Sequence, residues 1–365
     1  MVRERVVVAM SGGVDSSVAA ALLKEQGYDV VGITMQVWPQ SEEDPAHEKA
    51  GGCCSLSAVE DARGVAYQLG IPYYVINLRQ TFEHEVIDYF CREYAGGRTP
   101  NPCIVCNHRV KFLALLEKAV ALGARFIATG HYARTRYNED RGRYALLRAL
   151  DERKDQSYAL YGLTQYQLAH TLFPLGETTK EETRRLAAQL GLSVAAKQDS
   201  QEICFVPNDD YRGFLQRRIP DKIKPGPFLD QEGRVLGTHR GIPYYTIGQR
   251  RGLGIAASEP LYVVGLDCER NAVILGPHQA VYKNRLRAKE INWVSIPFPR
   301  KPLEAQVKIR YNGPFASALI EPLAEHEADV TFEKGVRAIA PGQAAVFYCG
   351  DEVLGGGIIS AAEAC

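Results

Sequence analysis

Ser11-Gly12-Gly13-Val14-Asp15-Ser16-Ser17 lies between an apolar run, Val6-Val7-Val8-Ala9-Met10, and a helical pattern from Val18 to Gln26. A strand therefore feeds a glycine turn that opens a helix. The first N–H groups of a helix have no intrahelical partner, and the helix dipole adds partial positive charge, so phosphate oxygens are favoured at such a junction. Gly12 and Gly13 let the backbone approach closely with its amides turned inward. Ser11, Ser16 and Ser17 add hydroxyl donors, and Asp15 can hold a magnesium ion bridging phosphates. A glycine–serine turn with a capping serine is the plainer reading of the same residues.

Outward from this loop, β-branched runs alternate with helical patterns. Asp29 to Met35 reads as a second buried strand, Leu56 to Leu69 as a helix, Tyr73 to Leu78 as a strand and Phe82 to Tyr94 as a helix. A helix begun near His108 runs to Leu122, and Arg125 to Tyr132 supplies a strand ending in Gly130-His131-Tyr132. This alternation predicts a doubly wound parallel sheet with ligands at the carboxyl ends of its strands, where Ser11 and Gly130 both fall. The polar stretch from Pro39 to Gly52 reads as a surface loop, and the adjacent Cys53 and Cys54 as a buried or capping pair.

Bulk properties narrow the class. A chain of 365 residues, 46% hydrophobic and 24% charged, has the composition of a soluble globular protein of two or three domains. No apolar stretch approaches the roughly 20 residues of a membrane span. Met1 to Glu4 run straight into the first strand and leave no room for a signal peptide. Nine cysteines without secretory signals argue for reduced thiols in the cytoplasm. Net charge is zero, so a nucleic-acid partner would have to be met by local patches. Eight Lys or Arg against two acidic residues between Lys283 and Arg310 form one such patch, and Arg212, Arg217, Arg218, Lys222 and Lys224 form another. An ordinary solvated surface is the alternative for both.

The rhythm breaks at the loop from Gly96 to Asn107, which carries Cys103-Ile104-Val105-Cys106 ahead of a helical pattern. A helix N-terminus lowers a thiol pKa, and His108, Arg109 and Lys111 add positive charge nearby. As half of a zinc site the motif is incomplete, since no second pair follows downstream.

Past Pro207 the glycine and proline content rises around short β runs such as Leu261 to Gly265. From Lys283 onward, regularly spaced strands at 291–294, 305–311, 316–320, 329–332, 343–348 and 356–359 predict a small barrel. Arg310 and Tyr311 there offer a cation and a ring on which unstacked RNA could be held, with a core tyrosine as the alternative.

Five segments together resemble known proteins. The Ser-Gly-Gly-x-Asp-Ser loop looks like that of the PP-loop ATP pyrophosphatases, which implies adenylation with pyrophosphate as leaving group. With Thr99-Pro100-Asn101-Pro102 and Cys106-Asn107, Ala128 to Tyr132, Lys154 to Tyr158, and Ser200-Gln201-Glu202-Ile203-Cys204-Phe205, the chain resembles the bacterial tRNA-specific 2-thiouridylases. The match is ordered and covers the whole chain.

The resemblance implies an α/β fold: a doubly wound parallel-sheet PP-loop ATPase domain (residues 1–210), a small mixed central domain that contacts tRNA (211–280) and a C-terminal β-barrel (281–365). It implies Cys106 as catalytic nucleophile and Cys204 as carrier of a persulfide. ATP would lie on Ala9, Met10, Ser11, Gly12, Gly13, Val14, Asp15, Ser16, Met35 and Gly130, with Mg²⁺ on Asp15. The tRNA would meet Asn101, Pro102, Cys103, Lys154, Asp155, Gln156, Arg310 and Tyr311. The implied partners are tRNA and a sulfur-carrier protein or cysteine desulfurase relay, with no membrane and a monomeric chain in the cytoplasm.

The chain departs from the family pattern at Cys103, where many members have aspartate, so that residue's proton-transfer role does not carry over. Cys103, Cys106 and Cys204 leave open an iron–sulfur cluster in place of a persulfide relay. A redox-sensing RNA-binding protein would need the thiols without the loop. Another PP-loop ligase would need the loop without the paired thiols.

Overall fold

In the computed structural model, residues 3–37, 56–198 and 203–363 are described; Cys53, Cys54 and 199–202 lie outside them. The first sheet is built from β1 (Arg5–Ala9), β2 (Asp29–Gln36), β3 (Tyr73–Asn77), β4 (Phe126–Ala128) and β7 (Thr171–Leu172) in the order β3-β2-β1-β4-β7. Every pairing in it is parallel. Because β1 sends alternate side chains to opposite faces, Val7 joins one core with Phe112, Leu115 and Ile127, while Val6 and Val8 join another with Val18, Leu23 and Val65. Helices α1 (Val14–Glu25), α2 (Leu56–Leu69), α4 (Phe112–Ala121) and α5 (Lys180–Gln189) cover the two faces, while α3 (Asp88–Ala95) packs into a separate cluster with Val37, Phe82 and Phe205. A capping box of Thr179 and Glu182 starts α5.

Strand order reverses direction at β1, between β2 and β4, and such a switch point opens a crevice at the carboxyl ends of the strands. The Ser11 loop leaves β1 there and Gly130 follows β4. The doubly wound parallel sheet expected from the alternating pattern is therefore present.

After α6 (Tyr211–Arg218), a second sheet of four strands has the order β10-β11-β8-β9, made of β8 (Gly226–Leu229), β9 (Val235–His239), β10 (Tyr262–Asp267) and β11 (Ala272–Gly276). The last six strands close on themselves: β12 (Tyr282–Asn292), β13 (Leu303–Lys308), β14 (Ala316–Ala324), β15 (Glu327–Arg337), β16 (Ala344–Cys349) and β17 (Glu352–Glu363). β12 pairs with both β15 and β17, so the barrel has no edge there.

One feature was not foreseen. A hairpin of β5 (Arg134–Asn138) and β6 (Arg143–Leu147) leaves the first sheet's territory and pairs with β17, extending the barrel's sheet. Val294, Ala344, Val346 and Tyr348 consequently share a core with Val7 and Phe112. Barrel and parallel sheet are thus packed through one apolar cluster. Among the described residues, no helix is long and apolar enough to cross a membrane.

Candidate active site

Gly12 shows why the turn after β1 needs glycine. Its φ is +68°, and an added Cβ would fall 2.1 Å from the Ala58 carbonyl oxygen. Gly130 is equally confined, since a Cβ would meet the Ser16 amide nitrogen at 2.6 Å. The loop after β4 is thereby pressed against the first turn of α1. Gly13 is the N-cap of α1 and supplies no capping side chain, so the helix presents uncapped N–H groups to the crevice. The Ser11 amide donates to Ser16 Oγ at 3.1 Å, and Ser17 Oγ donates to the Gly13 carbonyl at 2.8 Å. Such a cradle fits the phosphates of a nucleotide. Met35, half-buried near the carboxyl end of β2, packs against two cores beside it.

Asp15 is engaged differently from expectation. Lys180 Nζ lies 2.7 and 2.8 Å from its two carboxylate oxygens, and Tyr132 Oη donates to one of them at 2.9 Å. A carboxylate so covered by an ammonium does not fit a divalent ion, and among the described residues no group of three or more metal-ligating side chains stands together. The latter also applies to Cys103, Cys106 and Cys204: they are not gathered as a cluster's ligand set.

The second centre surrounds the Cys-x-x-Cys segment. Asn101 caps a short helix, Pro102–Val105, by accepting from the Cys103 amide at 3.1 Å. Cys103 is therefore the thiol at the helix N-terminus and is exposed, whereas Cys106 follows that turn and is buried. The expectation that Cys106 holds the N-terminal position is corrected, because the helix begins at Pro102 rather than near His108. Cys106 shares an apolar cluster with Phe205 and Val206, against which Ile203 also packs. Phe205 is fixed edge-on to Phe82 and Phe90, with ring centroids 5.7 and 5.2 Å away. The exposed Cys204 thus projects from a segment anchored in the cluster that holds Cys106.

The surrounding loop touches the other two sheets' territories. The Thr99 amide donates to the Pro341 carbonyl at 2.8 Å, Gln343 Nε2 donates to the Thr99 carbonyl at 2.8 Å, and the hydroxyls of Thr99 and Thr246 lie 3.2 Å apart. Tyr311 approaches from the barrel with its ring 6.1 Å from Tyr158. Burial pushes its phenol up to about 12, and Asp155 and Cys103 are near enough to add to the shift. The segments 101–103, 154–156 and 310–311 therefore converge.

Within that convergence, several residues are internally committed. Asp155 is buried and accepts from the Ala149 and Ser157 amides at 3.0 and 3.2 Å and from Ser157 Oγ at 2.9 Å. Gln156 Oε1 accepts from the Tyr132 amide at 2.9 Å, so it orders the loop after β4. Arg310 donates to the Arg337 carbonyl at 2.5 Å. Lys154 closes the turn opened at Asp151, its amide donating to the Asp151 carbonyl at 3.0 Å.

Family comparison decides what this arrangement belongs to. Residues 4–208 match a family model described as a tRNA methyl transferase HUP domain, 212–277 a tRNA methyl transferase PRC-barrel domain, and 283–359 an aminomethyltransferase beta-barrel domain. The tRNA-specific 2-thiouridylase MnmA of Heliobacterium modesticaldum is 58% identical over 98% of this chain and 92% of its own length. Proteins of the same name from Halothermothrix orenii and Moorella thermoacetica are 54% and 58% identical, covering 98% and 97% of this chain and 99% and 98% of their own. The chain belongs to the tRNA-specific 2-thiouridylase family.

For a 2-thiouridylase family member, the sequence reading missed three groups beside Tyr311. Lys308 Nζ lies 6.0 Å from the Tyr311 ring centre and 5.2 Å from that of Phe315, whose ring Arg148 approaches at 5.0 Å. They lie on β13, the loop after it and the end of the unforeseen hairpin, so no linear motif joins them. In the barrel, the register of β12 with β15 sets Arg287 opposite Asp329 and Lys289 opposite Glu327. Asp329 accepts from Arg285 at 2.9 Å and from Arg287 at 2.8 and 3.0 Å. The basic patch counted along the chain is to that extent neutralised across the strands.

Proposed function

We propose that this chain carries out ATP-dependent 2-thiolation of the wobble uridine of tRNA. The observation that carries the reading is the anchoring of the Cys204 segment in the apolar cluster of Cys106, in a chain whose switch-point loop is shaped for phosphate.

The chemistry needs two stages, because a carbonyl oxygen is a poor leaving group. The base O2 attacks the α-phosphorus of ATP, pyrophosphate leaves while held in the Ser11–Ser17 cradle, and the oxygen becomes part of an AMP ester. A magnesium ion bound with ATP would supply charge neutralisation. A sulfur-carrier protein or cysteine desulfurase relay loads Cys204 with a persulfide. Its terminal sulfur adds to C2, AMP leaves, and the Cys106 thiolate attacks Cys204 Sγ, freeing the thiocarbonyl and forming a Cys106–Cys204 disulfide. Attack by Cys106 before transfer releases hydrosulfide instead and forms the same disulfide. In either case an external thiol must reduce it before the next turnover. The reaction is placed in the cytoplasm, where thiols stay reduced.

To be reached, the uridine must leave the anticodon stack. Tyr311 and Phe315, each with Lys308 within cation–π reach, offer surfaces for bases so exposed. The family model's description names methyl transfer, but paired thiols beside an adenylation loop fit sulfur transfer. Mass spectrometry of tRNA nucleosides after incubation with ATP, magnesium and a sulfide source tests the proposal. The expected product is 2-thiouridine with one AMP and one pyrophosphate per sulfur; methylated uridine, or thiolation without ATP, would sink it.

A further inference from the structure

Lys197 is absent from every motif considered above, yet its ammonium touches the nucleotide loop. Nζ donates to the Gly12 carbonyl at 2.9 Å and lies 2.6 Å from Asp61 Oδ2 on α2. In a trans peptide the C=O of one residue and the N–H of the next point in opposite directions within one rigid plane. A cation that holds the Gly12 carbonyl on one side therefore holds the Gly13 N–H facing the other way. With φ of +68° and the Ala58 carbonyl as a wall, Gly12 cannot offer a side chain to do this itself. Gly13, the N-cap, contributes no capping side chain either.

We infer that Lys197 is a positioning residue of the phosphate cradle, fixing the Gly12–Gly13 peptide so that the Gly13 N–H faces the pyrophosphate group of the nucleotide. The inference rests on the reading of this loop as the ATP site. Lys197 is itself well held: its amide donates to the Val194 carbonyl at 2.9 Å, and its carbonyl accepts from Arg184 Nη1 at 3.1 Å. Arg184 lies on α5, the helix whose Lys180 pairs with Asp15. One helix thus supports both sides of the loop, one through the carboxylate and one through the peptide.

The test is calorimetric binding of inorganic pyrophosphate to the full chain, beside tRNA binding by gel shift and thermal melting. Losing a charge-assisted hydrogen bond that orients the anion donor should weaken pyrophosphate binding about tenfold or more in Lys197→Met. Lys197→Arg, which keeps a cationic donor, should stay within about threefold, and tRNA affinity should be unchanged in both, an outcome that a general loss of structure would not give. Lys197→Gln is the second neutral variant if Lys197→Met does not fold, and should also bind pyrophosphate weakly. Wild-type pyrophosphate affinity in a folded neutral variant overturns the inference, as does an equal loss in Lys197→Arg. Absence of pyrophosphate binding by the wild-type chain removes the nucleotide reading and the inference with it.

Discussion

Lys180 Nζ stands 2.7 and 2.8 Å from the two carboxylate oxygens of Asp15, at the first turn of the helix that follows the Ser11–Gly13 turn. Lys180 is nearly buried while Asp15 is partly open to the crevice. Asp15→Ala should abolish tRNA-stimulated pyrophosphate formation, with tRNA binding by gel shift nearly intact, because the residue faces the phosphate cradle and not RNA. Full thiolation by the variant would dismiss the loop assignment.

The buried Cys106 and the exposed Cys204, whose segment is anchored in the Cys106 cluster, should behave alike. Cys106→Ser and Cys204→Ser should each reduce thiolation to background in a nucleoside assay, since one resolves what the other carries. Cys103→Ser should retain appreciable activity in air with a persulfide donor, because Cys103 is exposed at a helix start and the three thiols form no ligand set. Equal loss in all three variants, with brown protein that needs anaerobic reconstitution, would favour a cluster.

Salt dependence should separate paired cations from those facing RNA. Arg285 and Arg287 are engaged with Asp329, so replacing both by Met should leave the slope of log affinity against log salt nearly unchanged. Lys308→Met should reduce the slope by about one and Phe315→Ala should weaken binding without altering it, as expected for a charge and a stacking ring. The opposite pattern would move the RNA path to the outer face of β12.

His131 provides a pH prediction for stability. Burial, with help from Lys111, lowers its pKa from the ordinary 6.5 to about 3, and its Nδ1 lies 2.8 Å from Thr129 Oγ1. Between those pH values the unfolded chain binds a proton that the folded chain refuses, so this contribution is fully favourable above about 6.5 and is lost as pH falls. The slope approaches about 1.4 kcal/mol per pH unit at most. Urea titrations at pH 7.5, 6.0 and 5.0 should show a weaker fall in His131→Gln than in the wild-type chain. Parallel curves would mean that His131 is not buried in the neutral form.

The depressed pKa of Asp329, caused first by its hydrogen bonds from Arg287 and then opposed by burial, has the familiar carboxylate sign. Its stabilising contribution should be present above the unfolded carboxylate pKa and vanish as pH falls through the lower folded value. The stability difference between wild type and Asp329→Asn should therefore be largest near neutrality and shrink in acid. A difference that stays constant with pH would show that the arginine pairs do not stabilise the barrel.

Local chemistry made much of this protein legible from its residues. Alternating β-branched runs and helical patterns announce the parallel sheet because each is decided within a few neighbours, and Ser11 to Ser17 announces an anion site because strand, glycine turn and helix are contiguous. The paired thiols and the order of the five segments carried the family. Lys180 on Asp15, Lys197 on Gly12 and Lys308 beside Phe315 were not legible, although Lys308 and Phe315 stand only seven positions apart. Each contact depends on which faces of separate elements meet, and Lys180 and Lys197 reach their partners across 165 and 185 residues. The β12–β15 register likewise decided which barrel cations are spent on Asp329, and the β6–β17 pairing decided that the barrel shares a core with the parallel sheet. Sequence determines elements and reactive groups because those are short-range properties; charge pairing and loop support follow from long-range packing, which only the folded chain brings about.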